Sequence, residues 1–347
     1  MTQEPFLFPV EPLHASASTP KEVVKHITPS PLTPEHDAGI EDVYNWFLDQ
    51  KNYKERFAQV FRKSIDEVLD GQRTGRYDLY IKKGEGRVEK TEKTYLGTKV
   101  EIVARVEFDL GYGHTMDYSI NDHQVDAKFT MGSTWTIPKE AMGHICLLMR
   151  ANDQNGTFQV GLIRISEENL NSGRNGDKKR TVSAAARREI KWIIENGDLP
   201  ENLLLNLKRE DPKKVESIFR ASEGYKGSGN GGQLRTNELF RQMTGRLVDR
   251  TTVLTVATQH DGPKRARDAR NHLRPEGIIV LGHRKPAPKI AKDLNLPIPK
   301  NGFWVSARIA RVSEDDSRPT TMIDGIRYGI WKNGDEPNEA PVIKEVI

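Results

Sequence analysis

Between positions 101 and 128 lie four side chains that could together hydrolyse a phosphodiester: Glu101, Asp117, Asp126 and Lys128, the last two flanking Ala127. Carboxylate oxygens suit a hard divalent cation such as Mg2+, which polarises a phosphoryl oxygen, acidifies bound water and neutralises charge on the departing oxygen. Glu101, Asp117 and Asp126 are therefore the candidate metal ligands. Lys128 adds a compact cation able to steady the charged phosphorus centre or orient the attacking water.

The elements that must position them can be read from periodicity. From Thr94 to Phe108, Leu96, Val100 and Val103, with Ile102 and Val106, recur at three- and four-residue spacing, predicting an amphipathic helix with Glu101 beside its apolar stripe. A run MDYSI, the turn pair Asn121-Asp122 and the alternating HQVDAKF then predict a hairpin. In its second strand Gln124, Asp126 and Lys128 share one face and Val125, Ala127 and Phe129 the other, so a one-residue slip would scatter the cluster. An ordinary hairpin displaying solvated Asp and Lys would carry the same D-x8-D-x-K spacing.

Composition excludes several classes. A chain of 347 residues, 36% hydrophobic and 29% charged, is globular with room for two domains. No apolar run approaches the roughly 20 residues of a membrane helix, and MTQEPFLFPVEP lacks the basic and apolar regions of a secretory leader. The expectation is a cytoplasmic protein with no membrane partner. The single cysteine, Cys146 in HICLLM, cannot form an internal disulfide or a multi-cysteine zinc site and reads as a buried strand residue. His114, His123 and His144 stand at no paired ligand spacing and remain minor candidates, His123 being expected at the surface.

Charge divides the chain: 27 Lys and Arg against 30 Asp and Glu up to residue 200, then 26 against 19. A C-terminal basic surplus suits a polyanionic partner, because cations meeting phosphates release condensed counterions. A merely solvated basic face is the alternative.

Residues 1–38, rich in Pro, Ser and Thr, read as a flexible arm. Helices are expected between Asp42 and Leu69. Beyond the site, TWTIP, HICLLMR and FQVGLIRI read as strands, the last two buried in one sheet. A polar loop over Ser172–Arg180, a helix from about Ser183 to Glu195, and the turn residues Asn196-Gly197 and Pro200 place a linker at 193–201. It separates a catalytic domain, 39–192, from a second domain, 202–347.

In that second domain, residues 234–258 place Leu239, Phe240 and Met243 on one helix, break at Thr244-Gly245 and resume with Leu247 and Val248. This spacing predicts a helix-turn-helix with Arg246, Arg250 and Thr251 near the start of its second helix. GPKRARDARNHLR, holding Lys264, Arg265, Arg267 and Arg270, leads into the strand-like GIIVLGH, which suggests a winged form. A helical hairpin packing a core would give the same apolar spacing. Two further places could touch DNA: Lys93, and the loop DGQRTGR, whose Arg73 and Arg76 could clamp phosphates or read guanine edges.

The segments DGQRTGR, TEKTYLGTKVEI, MDYSINDHQVDAKF, GHICLL, LRTNELFRQMTGRL and LRPEGIIVLGH resemble those of NaeI-type restriction endonucleases. The resemblance implies a mixed α/β (α+β) protein: an N-terminal PD-(D/E)xK endonuclease-like sheet with flanking helices, and a C-terminal CAP-like winged helix-turn-helix domain. It implies a Mg2+-dependent homodimer that cuts double-stranded DNA at a palindrome such as GCCGGC, needs a second, effector copy of the site, and is paired with a DNA methyltransferase. Matched motif to motif, its catalytic residues fall on Glu101, Asp117, Asp126 and Lys128. Where that family commonly has cysteine between the last aspartate and the lysine, this chain has Ala127, a core-facing position. A non-cleaving DNA-binding regulator and a repair nuclease that recognises DNA structure are the other readings.

Overall fold

The computed structural model describes residues 37–80, 88–227, 229–259 and 261–344. The arm expected over residues 1–38 lies almost wholly outside the described residues. Two helices open the fold, α1 (Ala38–Leu48) and α2 (Tyr53–Leu69), followed by the single turn α3 (Gly71–Thr74) and the long α4 (Lys90–Phe108). The amphipathic helix is thus present, but its buried stripe is Leu96, Val100, Ala104 and Phe108, four residues apart, while Ile102 and Val106 stand 44% and 76% exposed. The apolar residues outnumber what one face of the helix can bury, and strict i, i+4 spacing decides which of them point inward.

Next come β1 (Gly111–Tyr112), β2 (Tyr118–Ile120), β3 (His123–Thr130) and β4 (Thr136–Ile137), then β5 (Ile145–Asn152), β6 (Thr157–Arg164), β7 (Leu170–Arg174), β8 (Arg180–Val182) and β9 (Lys191–Asp198). Asn121 and Asp122 both adopt positive φ, 49° and 65°, making the two-residue turn whose twist suits a hairpin. A six-stranded sheet runs β1-β2-β3-β5-β6-β9, and of its pairs only β3 and β5 are parallel. One sheet face, with Val125, Ala127, Leu147 and Met149, packs on α2 and α4 around Phe57, Phe61 and Phe108. The opposite face carries Cys146, Leu148 and Ile163 against Trp135 and the small sheet β4-β8-β7.

Two expectations fail here. The stretch 183–195 is not a helix: beyond a short turn at Ala186–Arg188 it enters β9, where Ile193 and Ile194 are buried. The β-branched and aromatic run Trp192–Ile194 pairs with β6, so tertiary burial overrides helical propensity. The linker drawn at 193–201 therefore begins inside a core strand. The polar segment at 172–180 is the β7–β8 hairpin, whose middle, 175–179, is the expected loop and whose ends lie in the two strands.

Beyond the sheet come α5 (Leu203–Glu210), α6 (Pro212–Arg220), α7 (Gly232–Gln242), β10 (Leu247–Asp249), α8 (Arg250–Ala257), α9 (Gly262–Leu273), β11 (Ile278–Leu281), α10 (Ala287–Asp293), β12 (Phe303–Arg311), β13 (Thr320–Ile323) and β14 (Ile326–Ile330). Strand β12 pairs with β10, β11 and β14. The expected resumption of helix at Leu247 is instead β10, and helix restarts at Arg250, capped by Asp249, which accepts from the Thr252 N–H at 2.9 Å. The basic segment GPKRARDARNHL forms α9 itself, its Ala266, Ala269 and Leu273 buried.

The two halves are seamed together. A Cβ on Gly71 would sit 2.3 Å from Thr255 Oγ1 of α8, so only glycine permits this approach. Tyr77 stacks on Phe219 with ring centres 5.6 Å apart. Arg62, buried, pairs with Asp66 at 2.7 Å and Asp153 at 2.6 Å, and Asn202 donates to Asp153 at 3.0 Å.

Candidate active site

Strand alternation brings Asp126 and Lys128 to the same face of β3, and the Lys128 ammonium lies 2.7 Å from Asp126 Oδ2 and 3.8 Å from Asp117 Oδ2. Asp117, immediately before β2, is fixed by the backbone: its Oδ2 accepts the Ala127 N–H at 2.7 Å. That bond needs only a main-chain amide at position 127, and the Ala127 side chain turns into the core, so alanine there leaves the cluster intact. Asp126 is 6% exposed, and burial raises its carboxyl above the ordinary aspartate range against the opposing pull of Lys128. Beneath it, buried Cys146 donates its thiol to Asp126 Oδ2 at 3.5 Å; burial, reinforced by that carboxylate, pushes the thiol well above its usual range. Cys146 is thus the inert strand residue its sequence context predicts.

Glu101 approaches from α4. Its Oε1 accepts from Arg105 Nη2 at 3.2 Å, while the same nitrogen donates to the Asp117 carbonyl at 3.1 Å. Tyr118 Oη donates to the Glu101 carbonyl at 2.8 Å, tying helix to strand. Burial first, and then the neighbouring Asp117, raise the Glu101 carboxyl, with Arg105 and Lys128 opposing. All four sequence-selected residues thus share one locality. Among the described residues, no group of three or more His, Cys, Asp or Glu is gathered tightly enough to hold a metal ion by itself. The donor set nonetheless suits a hard cation: Asp117 and Asp126 already hold the Lys128 ammonium between them, and Glu101 stands one guanidinium away. His123 pairs with Asp42 at 3.2 Å, half-buried rather than exposed.

The DNA-contact candidates separate by whether their charge is already answered. Arg73 pairs with Asp70 at 2.5 Å, Arg76 with Glu92 at 2.6 Å, Arg265 with Asp261 at 3.0 Å, and Arg246 with both Glu201 and Glu210 at 2.8 and 2.7 Å. Thr251 is exposed at the rim of the seam, where it and Arg76 line a cavity of about 410 Å³. Lys93 and Lys264 are exposed on α4 and α9. Arg250 and Arg267 are exposed and form no ion pair among the described residues, and Arg270 donates to the Val280 carbonyl at 3.0 Å. These last three, with His283, Arg284 and Trp304, line a cavity of about 170 Å³. Sequence reasoning misses His283 and Arg284, although GHRK directly after a strand is itself a basic signal. Arg105 also escaped notice, because an arginine four residues after a glutamate is an everyday helix pair.

Comparison with known proteins bears on this arrangement. The sequence profile described as restriction endonuclease NaeI matches residues 43–339. The chain is 41% identical over 293 residues to the type II restriction enzyme NaeI of Lentzea aerocolonigenes, a match covering 83% of this chain and 89% of that enzyme. With the profile spanning most of the sequence, and the β3–α4 cluster inside the matched region, the chain belongs to the NaeI restriction endonuclease family, whose members are site-specific deoxyribonucleases.

Proposed function

We propose that this restriction endonuclease uses Glu101, Asp117, Asp126 and Lys128 for Mg2+-dependent, in-line hydrolysis of double-stranded DNA, leaving 5′-phosphate and 3′-hydroxyl ends. The observation that carries the reading is the convergence of Lys128 on both aspartates, at 2.7 and 3.8 Å, across a strand pair fixed by the Ala127 amide. Asp117 and Asp126 would supply oxygens to the cation and Glu101 would complete the set directly or through water. When bound, the cation polarises the phosphoryl oxygen and acidifies water. Lys128 then orients the attacking water or stabilises negative charge on the pentacovalent phosphorus. The six-stranded sheet and its helices make up the PD-(D/E)xK endonuclease domain in this reading.

The C-terminal half is read as a winged helix-turn-helix domain that takes a second DNA copy. Its support is the order α7, β10, α8, α9, β11, β12 with β12 paired to both β10 and β11. In that order the helix entering the major groove is α9, not α8, and it presents Lys264 and Arg267. A homodimer acting in the cytoplasm on a palindrome, GCCGGC or a relative of it, beside a protective methyltransferase, completes the reading.

Digestion of a mapped plasmid tests it. Wild-type protein should give discrete bands only with Mg2+, stimulated by added cognate duplex, whereas Asp126→Asn should bind the site without cutting. Cleavage retained by Asp126→Asn rejects the assignment. Specific binding without cleavage by the wild type would favour a regulator, and cutting of flaps or mismatches regardless of sequence a repair nuclease.

A further inference from the structure

Arg105 occupies a place that an ordinary helix ion pair does not explain. Through the single nitrogen Nη2 it donates to Glu101 Oε1 on its own helix and to the carbonyl of Asp117 at the start of the opposing hairpin, at 3.2 and 3.1 Å. Its guanidinium carbon lies 4.5 Å from the ring centre of Tyr112 and 5.4 Å from that of Tyr118. Tyr118, fully buried, returns the tie by donating to the Glu101 carbonyl at 2.8 Å. Arg105 is a largely buried side chain, 17% exposed, and its Nε is buried with no hydrogen-bond partner among the described residues. An orphaned buried donor costs on the order of 1–3 kcal/mol, which the hydrogen bonds and ring contacts of the same guanidinium must offset.

The selectivity of its bonds matters. Arg105 engages one oxygen of Glu101 and leaves Oε2 without a partner among the described residues. At Asp117 it takes the main-chain oxygen and leaves the carboxylate to Lys128 and the Ala127 amide. A guanidinium competing for both carboxylates would cover their oxygens; this one ties one oxygen of the Glu101 carboxylate to the Asp117 main chain and touches no oxygen of the Asp117 carboxylate.

We propose that Arg105 is a positioning residue that fixes Glu101 of α4 and the Asp117 strand at one separation, so that the carboxylates are gathered before a divalent cation enters. This rests on the reading that Glu101, Asp117 and Asp126 hold that cation. Lysine would restore the charge, but not the flat group stacked on two tyrosines.

Titration of Mg2+ into the full-length protein, followed by calorimetry without DNA, tests the role directly. Arg105→Met should weaken Mg2+ binding by about tenfold or more, the usual effect of removing a group that orients a metal ligand, and Arg105→Lys should recover part of the loss. In cleavage assays the Mg2+ concentration for half-maximal rate should rise by the same factor, while the rate at saturating Mg2+ changes less. In a Glu101→Gln background, Arg105→Met should add clearly less than its full loss, because the part that acts through Glu101 is already gone and only the tie to the Asp117 main chain remains. Thermal melting in metal-free buffer shows whether the variant is folded; should Arg105→Met melt below the assay temperature, Arg105→Gln takes its place. Unchanged or tighter Mg2+ binding, or a full additional loss in the Glu101→Gln background, overturns the proposal. Wild-type Mg2+ affinity in Asp126→Asn would instead reject the metal site itself, whatever Arg105 does.

Discussion

The cluster between α4 and β3 and the basic face around α9 treat charge in opposite ways. In the cluster every ionised side chain meets a counter-charge inside the protein: Lys128 with Asp126 and Asp117, Arg105 with Glu101. Around α9, Arg250, Arg267 and Arg284 point at a shared cavity with no carboxylate answering them among the described residues. Each arrangement fits its proposed task. A hydrolytic site must hold like-charged carboxylates together before its cation arrives, which requires built-in compensation. A surface that receives a polyanion gains from leaving its cations unanswered, since the phosphates then complete them. In the proposed reading, a contact arginine is marked by the absence of an internal partner more than by local basicity.

Removing the cation at the centre of the cluster should have the largest consequence. Lys128→Met leaves Asp126 buried beside Asp117 with no ammonium between them, and the single-turnover cleavage rate is expected to fall by roughly a thousandfold. DNA binding should survive. Measured rates within tenfold of wild type would mean that Lys128 serves only to compensate the aspartates.

The unanswered cations should come next. Replacing Arg250, Arg267 and Arg284 together by alanine is expected to lower affinity for the effector duplex by about a hundredfold and to flatten the salt dependence of binding by about 2 to 3 in log–log slope. Cutting at high enzyme concentration on a single-site substrate should persist. An unchanged salt slope in a fluorescence anisotropy titration would remove the cavity from the DNA path.

These two sites were not equally legible in the sequence. Asp126 and Lys128 could be put on one face because strand alternation is covalent geometry, and Asn121-Asp122 fixed the register. The hairpin and the helix bearing Glu101 followed from spacing alone, as did the burial of Cys146. Pairing across the chain could not be read: Arg246 looked available until Glu201 and Glu210, more than thirty residues away, were brought to it. For the same reason the sequence predicts a helix where β9 stands, since the β6 edge that recruits Trp192–Ile194 lies far off along the chain. The restart of helix at Arg250 rather than at Leu247 has the same kind of cause: three residues of β10 pair with β12, more than fifty residues on, so the chain after Gly245 extends before it coils again.

The seam between the two regions offers a smaller, pH-dependent effect. Burial lifts the Asp66 carboxyl to about 6, against the opposing charge of Arg62. A carboxyl whose folded pKa exceeds its unfolded value binds its proton more tightly when folded. Its stabilising contribution is complete below about pH 4 and is lost as pH rises through about 6. Wild-type stability should therefore fall relative to Asp66→Asn across that interval by about 3 kcal/mol, and run parallel to it above pH 7. Urea melts at intervals between pH 4 and 8 would show the difference, and parallel curves throughout would place the Asp66 proton elsewhere.

Arg246 provides the most sensitive discrimination, because it is as basic as Arg267 yet doubly paired. Arg246→Ala removes two surface ion pairs, each partner a third or more exposed, and pairs of this kind contribute only about 0–1 kcal/mol. Stability should move by less than about 1 kcal/mol, and the salt slope for effector DNA should not move at all, in contrast to Arg267→Ala, for which a shallower slope of about 1 is expected. The converse substitution, Glu201→Gln with Glu210→Gln, strips Arg246 of its partners without moving it. Located just before β10 rather than on α9, the freed guanidinium should alter DNA affinity by less than about threefold, beyond the uniform gain from removing two negative charges that a distant pair of Glu→Gln changes would also give. A larger rise, with a steeper salt slope, would show that the glutamates mask a real phosphate contact, and that an internal partner can hide a DNA-binding arginine rather than rule one out.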